Sequence, residues 1–336
     1  MYCRLNLFIF FLFAVFCAQA QSLDSLLHPQ NVKKISGKLL QTNHIVLKKN
    51  QLLSLDTISV RENELHLFDR QGNKILYAQL DQKDSAYQFY NYTYNQLNQK
   101  IEQAQTFNYY FYKGKNTYTY NSDGTLRQMK QLDYRDSIYR TTNYSYVNGK
   151  IKEERTYNAS NLLIIHRQSF YDPQGDLTYF VNNSTTVSYN NNLPFSIKQY
   201  FDDNHHMIRR EYFDEYNNLK IYWLYTYDEN GNKLSEKQFN SKDQIVGSTY
   251  YVYNKKNLVT EIRQYDANTG KRTKMNYQYN KNNNYSHLKI YLDNSKKPEY
   301  YKDCYYDQHG NWILWIEKDK HKKVLAVGNR SIEYYE

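Results

Sequence analysis

The stretch YDENGNKL, residues 227–234, has the sequence of a hairpin turn between two β-strands. An Asp such as Asp228 accepts a hydrogen bond from the backbone two residues further on, and Gly231 tolerates the positive φ that closes such a turn. Tyr227 then ends one strand, and Leu234 lies near the start of the next. Similar stretches recur along the chain, so this turn indicates how the protein is built.

The recurring feature is an aromatic residue that is followed by a turn. Ten copies follow one another at a nearly constant spacing, and in nine of the ten Asp or Asn comes next. A second series of turns lies between them, for example after Phe213 and Phe239, so each unit contains two strands. A period of about 26 residues indicates stacked repeats. The ten aromatic residues, which we call the primary aromatics, are Phe68, Tyr94, Tyr120, Tyr146, Tyr171, Phe201, Tyr227, Tyr253, Tyr279 and Tyr306.

Residues before the primary aromatics alternate between aromatic and polar types. Tyr90, Tyr92 and Tyr94 alternate with Asn91 and Thr93. A period of two is typical of a β-strand with one apolar face. The sequence therefore predicts an all-β fold, a tandem array of β-hairpins of about 26 residues each. We expect a wide antiparallel sheet of about twenty strands, twisted or coiled, with the tyrosines on its inner face. The sequence leaves open whether this sheet closes.

Residues 1–20 have the features of a secretory signal peptide. Arg4 precedes an apolar run at 5–16, and Ala18-Gln19-Ala20 forms a small-x-small cleavage box. Lipid attachment at Cys17 and an uncleaved anchor are the alternatives. We expect export to the periplasm, the outer surface or the medium, with no integral membrane segment after cleavage.

Irregularities in the repeat predict further boundaries. Residues 21–66 lack the tyrosine pattern and are interpreted as an N-terminal aliphatic capping segment. The turn aromatics Tyr171 and Tyr189 are further apart than the corresponding pairs of other units, and VNNSTT at 181–186 lies between them. We therefore predict a first sub-array at 67–180, an insertion loop at 181–186 and a second sub-array at 187–336.

Charge and cysteine content limit the partners. The formal net charge of +10 favours acidic polymers or anionic headgroups. Export argues against nucleic acid as a partner. Signal cleavage leaves Cys304 as the only cysteine of the three, which excludes internal disulfides and a cysteine-based metal site. The sequence leaves the oligomeric state open.

Several turns resemble the YD repeats of the Rhs family. The segment YTYDENGN at 225–232 is most similar to the repeat core, and YDPQG at 171–175 and YYDQHGN at 305–311 are also similar. The resemblance covers about residues 66–336. It implies a large curling β-sheet and a carbohydrate-binding role. In that family the sheet can enclose a toxic C-terminal domain, which we do not expect here because only 334–336 follow the last repeat.

Motifs that carry enzymatic chemistry are absent from the sequence. It contains no phosphate loop, no Gly-x-Ser-x-Gly elbow and no His-Glu-x-x-His zinc motif. His205 and His206 are interpreted as turn residues rather than metal ligands. A set of Glu residues recurs eight or nine positions after a primary aromatic, and we interpret them as cross-strand partners of Lys and Arg. We therefore predict a non-catalytic protein without cofactor or metal. These Glu residues are Glu102, Glu154, Glu236 and Glu261.

Two functions follow from the tyrosine columns. In one, the protein binds a glycan or another protein at the cell envelope, because aromatic rings suit sugar rings and peptides. In the other, the rings only pack against each other and the protein is a structural scaffold of the envelope with no small ligand. The candidate ligand-binding residues are Trp223, Tyr225, Tyr251, Tyr277, Trp312 and Trp315.

Overall fold

The computed structural model describes residues 32–48, 51–81, 83, 85–107, 112–184 and 195–335. The predicted signal peptide at 1–20 lies outside the described residues. Of the predicted insertion loop, 181–184 belong to a strand, whereas 185–186 lie outside the described part. Within the described ranges, no helix has the length and apolar character that are needed to cross a membrane.

The described chain forms one 22-stranded antiparallel sheet, which confirms the all-β prediction. The first two strands contain 17 and 18 residues, and the others contain 7 to 11. Both long strands come from the aliphatic N-terminal segment. The strands are β1 (Val32–Lys48), β2 (Gln51–Phe68), β3 (Lys74–Leu80), β4 (Ala86–Tyr94), β5 (Lys100–Phe107), β6 (Tyr112–Tyr120), β7 (Leu126–Leu132), β8 (Ile138–Val147), β9 (Lys150–Asn158), β10 (Leu163–Tyr171), β11 (Leu177–Ser184), β12 (Phe195–Phe201), β13 (Met207–Phe213), β14 (Leu219–Tyr227), β15 (Lys233–Asn240), β16 (Ile245–Tyr253), β17 (Val259–Asp266), β18 (Arg272–Tyr279), β19 (Tyr285–Leu292), β20 (Tyr300–Tyr306), β21 (Trp312–Asp319) and β22 (Val324–Tyr334).

The prediction of a twisted or coiled sheet is wrong, because the sheet closes on itself. Strand β1 pairs antiparallel with β22, from Val32 opposite Tyr334 to Gln41 opposite Ala326. The other strand pairs whose register the structure describes join neighbours in the sequence. An open sheet would leave unpaired N–H and C=O groups on its two edge strands, and the β1–β22 ladder satisfies them instead. Closure in antiparallel fashion is possible because the number of strands is even.

Hydrogen bonds in the turns confirm the turn chemistry that the sequence predicts. The carboxylate oxygen Oδ1 of Asp228 accepts from the backbone N–H of Asn230 at 3.0 Å and of Asn232 at 2.8 Å. Gly231 has a φ of 78°. Asn254 accepts the same pair of bonds in a later unit, with Asn257 at the position of positive φ. Asn replaces Asp or Gly here because its short side chain accepts the same bonds and tolerates positive φ.

The primary aromatics have a role beyond packing. In the six units named at the end of this paragraph, the phenol O–H donates to the backbone carbonyl 20 residues earlier in the chain, at O···O distances of 2.6–2.9 Å. Each bond joins the last residue before one primary turn to the strand that follows the preceding primary turn. It therefore links two successive units and fixes the register between them. The donor–acceptor pairs are Tyr120–Lys100, Tyr146–Leu126, Tyr171–Ile151, Tyr227–Met207, Tyr253–Lys233 and Tyr279–Val259.

The chain divides into two compact units. Unit 1 consists of the described residues within Met1–Asn91, Phe107–Tyr110 and Lys302–Glu336. Its core contains Leu314, Ile316, Val324 and Val327, with Tyr305 packed against them.

Unit 2 consists of Tyr92–Thr106 and the described part of Phe111–Tyr301. Few of its side chains are fully buried, and most tyrosines are half-buried. The buried apolar residues of unit 2 are Ile164, Tyr222, Ile262, Met275, Tyr277, Leu288 and Ile290.

Candidate functional site

Three positions of the repeat lie on one face of the sheet, which we call the tyrosine face. They are two positions before the primary aromatic and six and nine positions after it. In the unit of Tyr227 they hold Tyr225, Lys233 and Glu236. Tyr225 is paired with Glu236, and a register shift beside Tyr227 places Lys233 on the same face although it is three positions from Glu236. The bulge therefore brings the lysine and the carboxylate together beside this turn.

Lys233 lies between two tyrosine rings. Its amine is 5.6 Å from the ring centre of Tyr225 and 5.1 Å from that of Tyr251 in the next unit. The amine also donates to Glu236 Oε2 at 2.8 Å. Burial lowers the pKa of Lys233, but the hydrogen bond and charge of Glu236 outweigh it, so the pKa lies above its ordinary value. Burial, with the Glu236 charge, raises the pKa of Tyr225 to about 12. The group is a charge-neutral pair between aromatic rings.

Lys100 occupies the same place in an earlier unit. Its amine is 5.9 Å from the ring centre of Tyr92 and 4.7 Å from that of Tyr118. The residue nine positions after the primary aromatic is Gln103, and its Oε1 is 3.5 Å from the amine, at the long limit of a hydrogen bond. Burial lowers the pKa of Lys100. Within the described part of the chain, this amine contacts no carboxylate.

In five other units the residues six and nine positions after the primary aromatic are both apolar or aromatic. The Lys100 and Lys233 sites are therefore departures from the commonest pattern at these positions. Sequence reasoning missed them, although aligning the units on their primary aromatics would have shown a Lys followed three positions later by Gln or Glu. The five pairs are Leu126/Met129, Leu177/Phe180, Val259/Ile262, Tyr285/Leu288 and Trp312/Trp315.

Two of the predicted ligand-binding residues lie in the core of unit 1. Trp312 is 1% exposed and Trp315 is 8% exposed. The Arg330 guanidinium lies 4.1 Å from the Trp312 ring centre, and the Lys302 amine lies 4.1 Å from that of Trp315. Their rings are covered by protein groups, and their role in ligand binding stays a prediction.

The other four predicted residues belong to unit 2. Tyr277 is 6% exposed, and its hydroxyl contacts Met275 Sδ at 3.6 Å. Trp223 is half-buried, with the Arg210 guanidinium 5.8 Å from its ring centre. The structure brings Tyr225 and Tyr251 together through Lys233, as described above. This half-buried cluster is the part of the predicted site that the fold assembles.

The recurring Glu residues contact basic groups, but only the contacts of Glu154 and Glu102 run between strands as predicted, whereas those of Glu236 and Glu261 lie within one strand. Glu154 contacts Arg167 at 2.7 Å across two strands, and Glu261 contacts Arg263 at 2.5 Å. Glu236 contacts Lys233 as described above, and Glu102 lies 4.0 Å from Lys115.

The two adjacent histidines lie in a turn, as predicted. His205 has a φ of 63°, and its Nδ1 lies 2.6 Å from Asp176 Oδ2 of a neighbouring turn. The His206 ring stacks on Tyr227 at 4.7 Å. Among the described residues, no group of three or more His, Cys, Asp or Glu is placed to hold a metal ion.

Comparisons with known proteins bear on the fold alone. No family model matches the chain, and no curated protein matches its sequence. A crystal structure of TcdB2-TccC3-Cdc42 is similar over 89% of this chain, with a TM-score of 0.51 and 14% identity. The chain spans only 16% of the length of that protein. This likeness is consistent with the YD-repeat type of fold that the sequence predicts.

Two further solved structures are more distant. The Tc holotoxin pore of Photorhabdus luminescens has 10% identity and a TM-score of 0.36, covering 83% of this chain and 18% of its own. A porin-like protein from Bacteroides uniformis has 9% identity and a TM-score of 0.30, covering 90% and 98%. With TM-scores this low, neither structure supports a conclusion about this protein.

Proposed function

We propose that the protein is an exported, non-catalytic repeat protein of the YD-repeat (Rhs-like) type that binds a polysaccharide at the cell envelope. The observation that carries this proposal is the cluster of Tyr225, Tyr251, Lys233 and Glu236 on the tyrosine face. Sugar recognition needs flat apolar surfaces beside hydrogen-bonding groups, and half-buried tyrosines with an ion pair between them offer both. A protein partner would use the same rings, but the regular spacing of the units suits a polymer with a regular repeat.

The basic charge supports an attraction to polymers that are neutral or acidic. Primary turns of unit 2 carry exposed lysines such as Lys255, Lys256 and Lys281. Lys256 donates to Asn283 of the next turn at 3.1 Å, so neighbouring turns are linked. Their contribution to binding should weaken with salt, because the screening length falls from ~10 Å at 0.1 M to ~3 Å at 1 M.

A second candidate function is that of a structural scaffold of the envelope with no small ligand. The closed β1–β22 ladder favours it, since closure removes the sheet edges at which a strand of a partner could add. In this case the tyrosines serve only as packing and register groups.

Retention on immobilised polysaccharides distinguishes the two functions. We expect the exported protein to be retained by at least one polysaccharide of a glycan array and to leave the length of the polysaccharide unchanged. Tyr251→Leu should abolish retention while the unfolding temperature stays close to that of the wild type. Tyr250→Leu is the matched control, because Tyr250 is the preceding residue, points to the opposite face and is 43% exposed. If the wild type is retained by no polysaccharide, the polysaccharide-binding proposal is wrong and the scaffold function is favoured.

Export can be tested separately by mass spectrometry of the mature chain. We expect an N-terminus at Gln21. An N-terminus at a lipid-modified Cys17, or an intact Met1, would contradict the predicted cleavage.

A further inference from the structure

The Lys100 and Lys233 sites are two copies of one construction that differ in a single functional group. Both amines lie between two tyrosine rings of successive units, and both backbone carbonyls accept a phenol O–H from the following primary aromatic. At Lys233 the position nine after the primary aromatic supplies the carboxylate of Glu236, 2.8 Å from the amine. At Lys100 that position supplies only the neutral amide of Gln103. The Lys233 site is a complete ion pair, whereas the Lys100 site contains the cation without a carboxylate among the described residues.

We propose that Lys100, Gln103, Tyr92 and Tyr118 form a binding site for the carboxylate of a uronic acid residue in an acidic polysaccharide. This inference rests on the proposed polysaccharide-binding function and names the class of sugar that the second site selects. The ligand carboxylate lies beside the Lys100 amine and pairs with it, as the Glu236 carboxylate pairs with the Lys233 amine. The sugar ring to which it is attached lies against the tyrosine rings on either side.

The hydrogen-bonding capacity of the site fits a carboxylate. A lysine ammonium has three N–H donors, and Lys100 uses one of them on a long contact to Gln103. The Gln103 Oε1 also accepts from the Tyr118 hydroxyl at 3.3 Å. Both of these contacts use Oε1, and no hydrogen bond of the Gln103 amide N–H groups is seen within the described part of the chain, so a ligand oxygen can accept from them. Ligand binding would convert a half-buried, uncompensated ammonium into a charge-assisted pair.

The electrostatics of the two copies give the direction of the pH dependence. Burial lowers the pKa of Lys100, whereas Glu236 raises the pKa of Lys233 despite burial. A bound carboxylate should act on Lys100 as Glu236 acts on Lys233 and raise its pKa. Linkage then requires that uronate affinity is constant at neutral pH and falls as the pH rises through the pKa of the free Lys100 amine. A surface lysine with an ordinary pKa would lose the ligand only at higher pH.

An exchange of the two positions tests the proposal with matched variants. The probe is an oligogalacturonate, its fully methyl-esterified form is the neutral control, and sodium acetate represents the carboxylate without a sugar. We expect calorimetry at low salt to detect oligogalacturonate binding that Gln103→Glu weakens by about ten- to a hundredfold, because an internal carboxylate takes the site. Glu236→Gln should create a second class of oligogalacturonate site. Gln103→Glu only reproduces the pair that the protein already contains at Lys233, so it should fold normally.

The outcomes separate this inference from the proposed function. If Gln103→Glu and Lys100→Met bind oligogalacturonate as tightly as the wild type does, or if the methyl ester binds equally well, the carboxylate site is wrong although polysaccharide binding stands. If acetate binds as tightly as the oligosaccharide, the tyrosine rings do not select a sugar, and the uronate assignment is wrong. If the wild type binds no carbohydrate on the array or in calorimetry, the proposed function itself fails, and the inference fails with it.

Discussion

The phenol–carbonyl bond between repeats predicts that Tyr279→Phe destabilises the protein without changing its fold. The Tyr279 hydroxyl donates to the backbone carbonyl of Val259 at 2.6 Å, and burial raises the pKa of this phenol. Phenylalanine retains the ring and removes only the donor. The sequence already contains Phe at two primary positions, Phe68 and Phe201, so the ring alone is compatible with the fold.

The expected magnitude follows from the chemistry of one neutral hydrogen bond. Such a bond contributes about 0.5–1.5 kcal/mol to the free energy of unfolding. We therefore expect Tyr279→Phe to lower that free energy by about 1 kcal/mol. The six bonds named above would together contribute on the order of 6 kcal/mol. The Tyr253→Phe and Tyr279→Phe double variant should lose about twice the single value, because the two phenols bond to different carbonyls.

Urea unfolding followed by circular dichroism measures this difference. The control is Tyr250→Phe, whose hydroxyl makes no hydrogen bond within the described part of the chain and whose side chain is 43% exposed. The control should unfold at the same urea concentration as the wild type. If Tyr279→Phe also matches the wild type, or if Tyr250→Phe is equally destabilising, the phenol bonds do not hold neighbouring units in register.

Three further predictions concern closure, pH and packing. Deleting residues 227–252 removes two strands and should leave a folded protein. Deleting 227–238 leaves an odd number of strands, so β1 and β22 would run in the same direction and the chain should be insoluble or unfolded. Equal solubility of the two deletion variants would contradict closure of the sheet. Burial raises the pKa of many tyrosines in the folded protein, with that of Tyr144 at about 12. Tyrosines of the unfolded chain therefore ionise at lower pH than those of the folded protein, so the free energy of unfolding should fall as the pH rises from about 10 towards 12. Thermal unfolding combined with tyrosinate absorbance measures this fall. Gly328→Ala places a methyl group against the Trp315 indole and should lower the free energy of unfolding in urea by about 1–3 kcal/mol. In the control, Gly247→Ala, the methyl group meets only ordinary contacts at 3.5 Å or more, so the free energy of unfolding should change little.

The repeat itself could be predicted from the sequence because its causes are local. The Asp228 side chain and the positive φ of Gly231 act within one turn, and the alternation of Tyr90, Tyr92 and Tyr94 reports a strand directly. Such patterns fix the turns, the strands and the antiparallel pairing of sequence neighbours. They also indicated that the recurring Glu residues would have basic partners.

The tyrosine sites could be predicted only in part. Tyr225 and Tyr251 were recognised as candidate rings, but the lysine between them was not, because the bulge beside Tyr227 changes the face on which later side chains lie. A strict period of two assigns Lys233 and Glu236 to opposite faces, whereas the structure places them 2.8 Å apart. The burial of Trp312 likewise depends on Arg330, a residue of another strand.

The sequence by itself determined the repeat, its turn chemistry and the all-β antiparallel class, since each depends on residues that are close together in the chain. Only the tertiary structure decided that the sheet closes. Val32 pairs with Tyr334 across nearly the whole length of the chain, and no local pattern in either strand specifies a partner at that distance. Closure depends on the twist accumulated over all the strands and on their even number, which are properties of the assembled sheet rather than of any one unit.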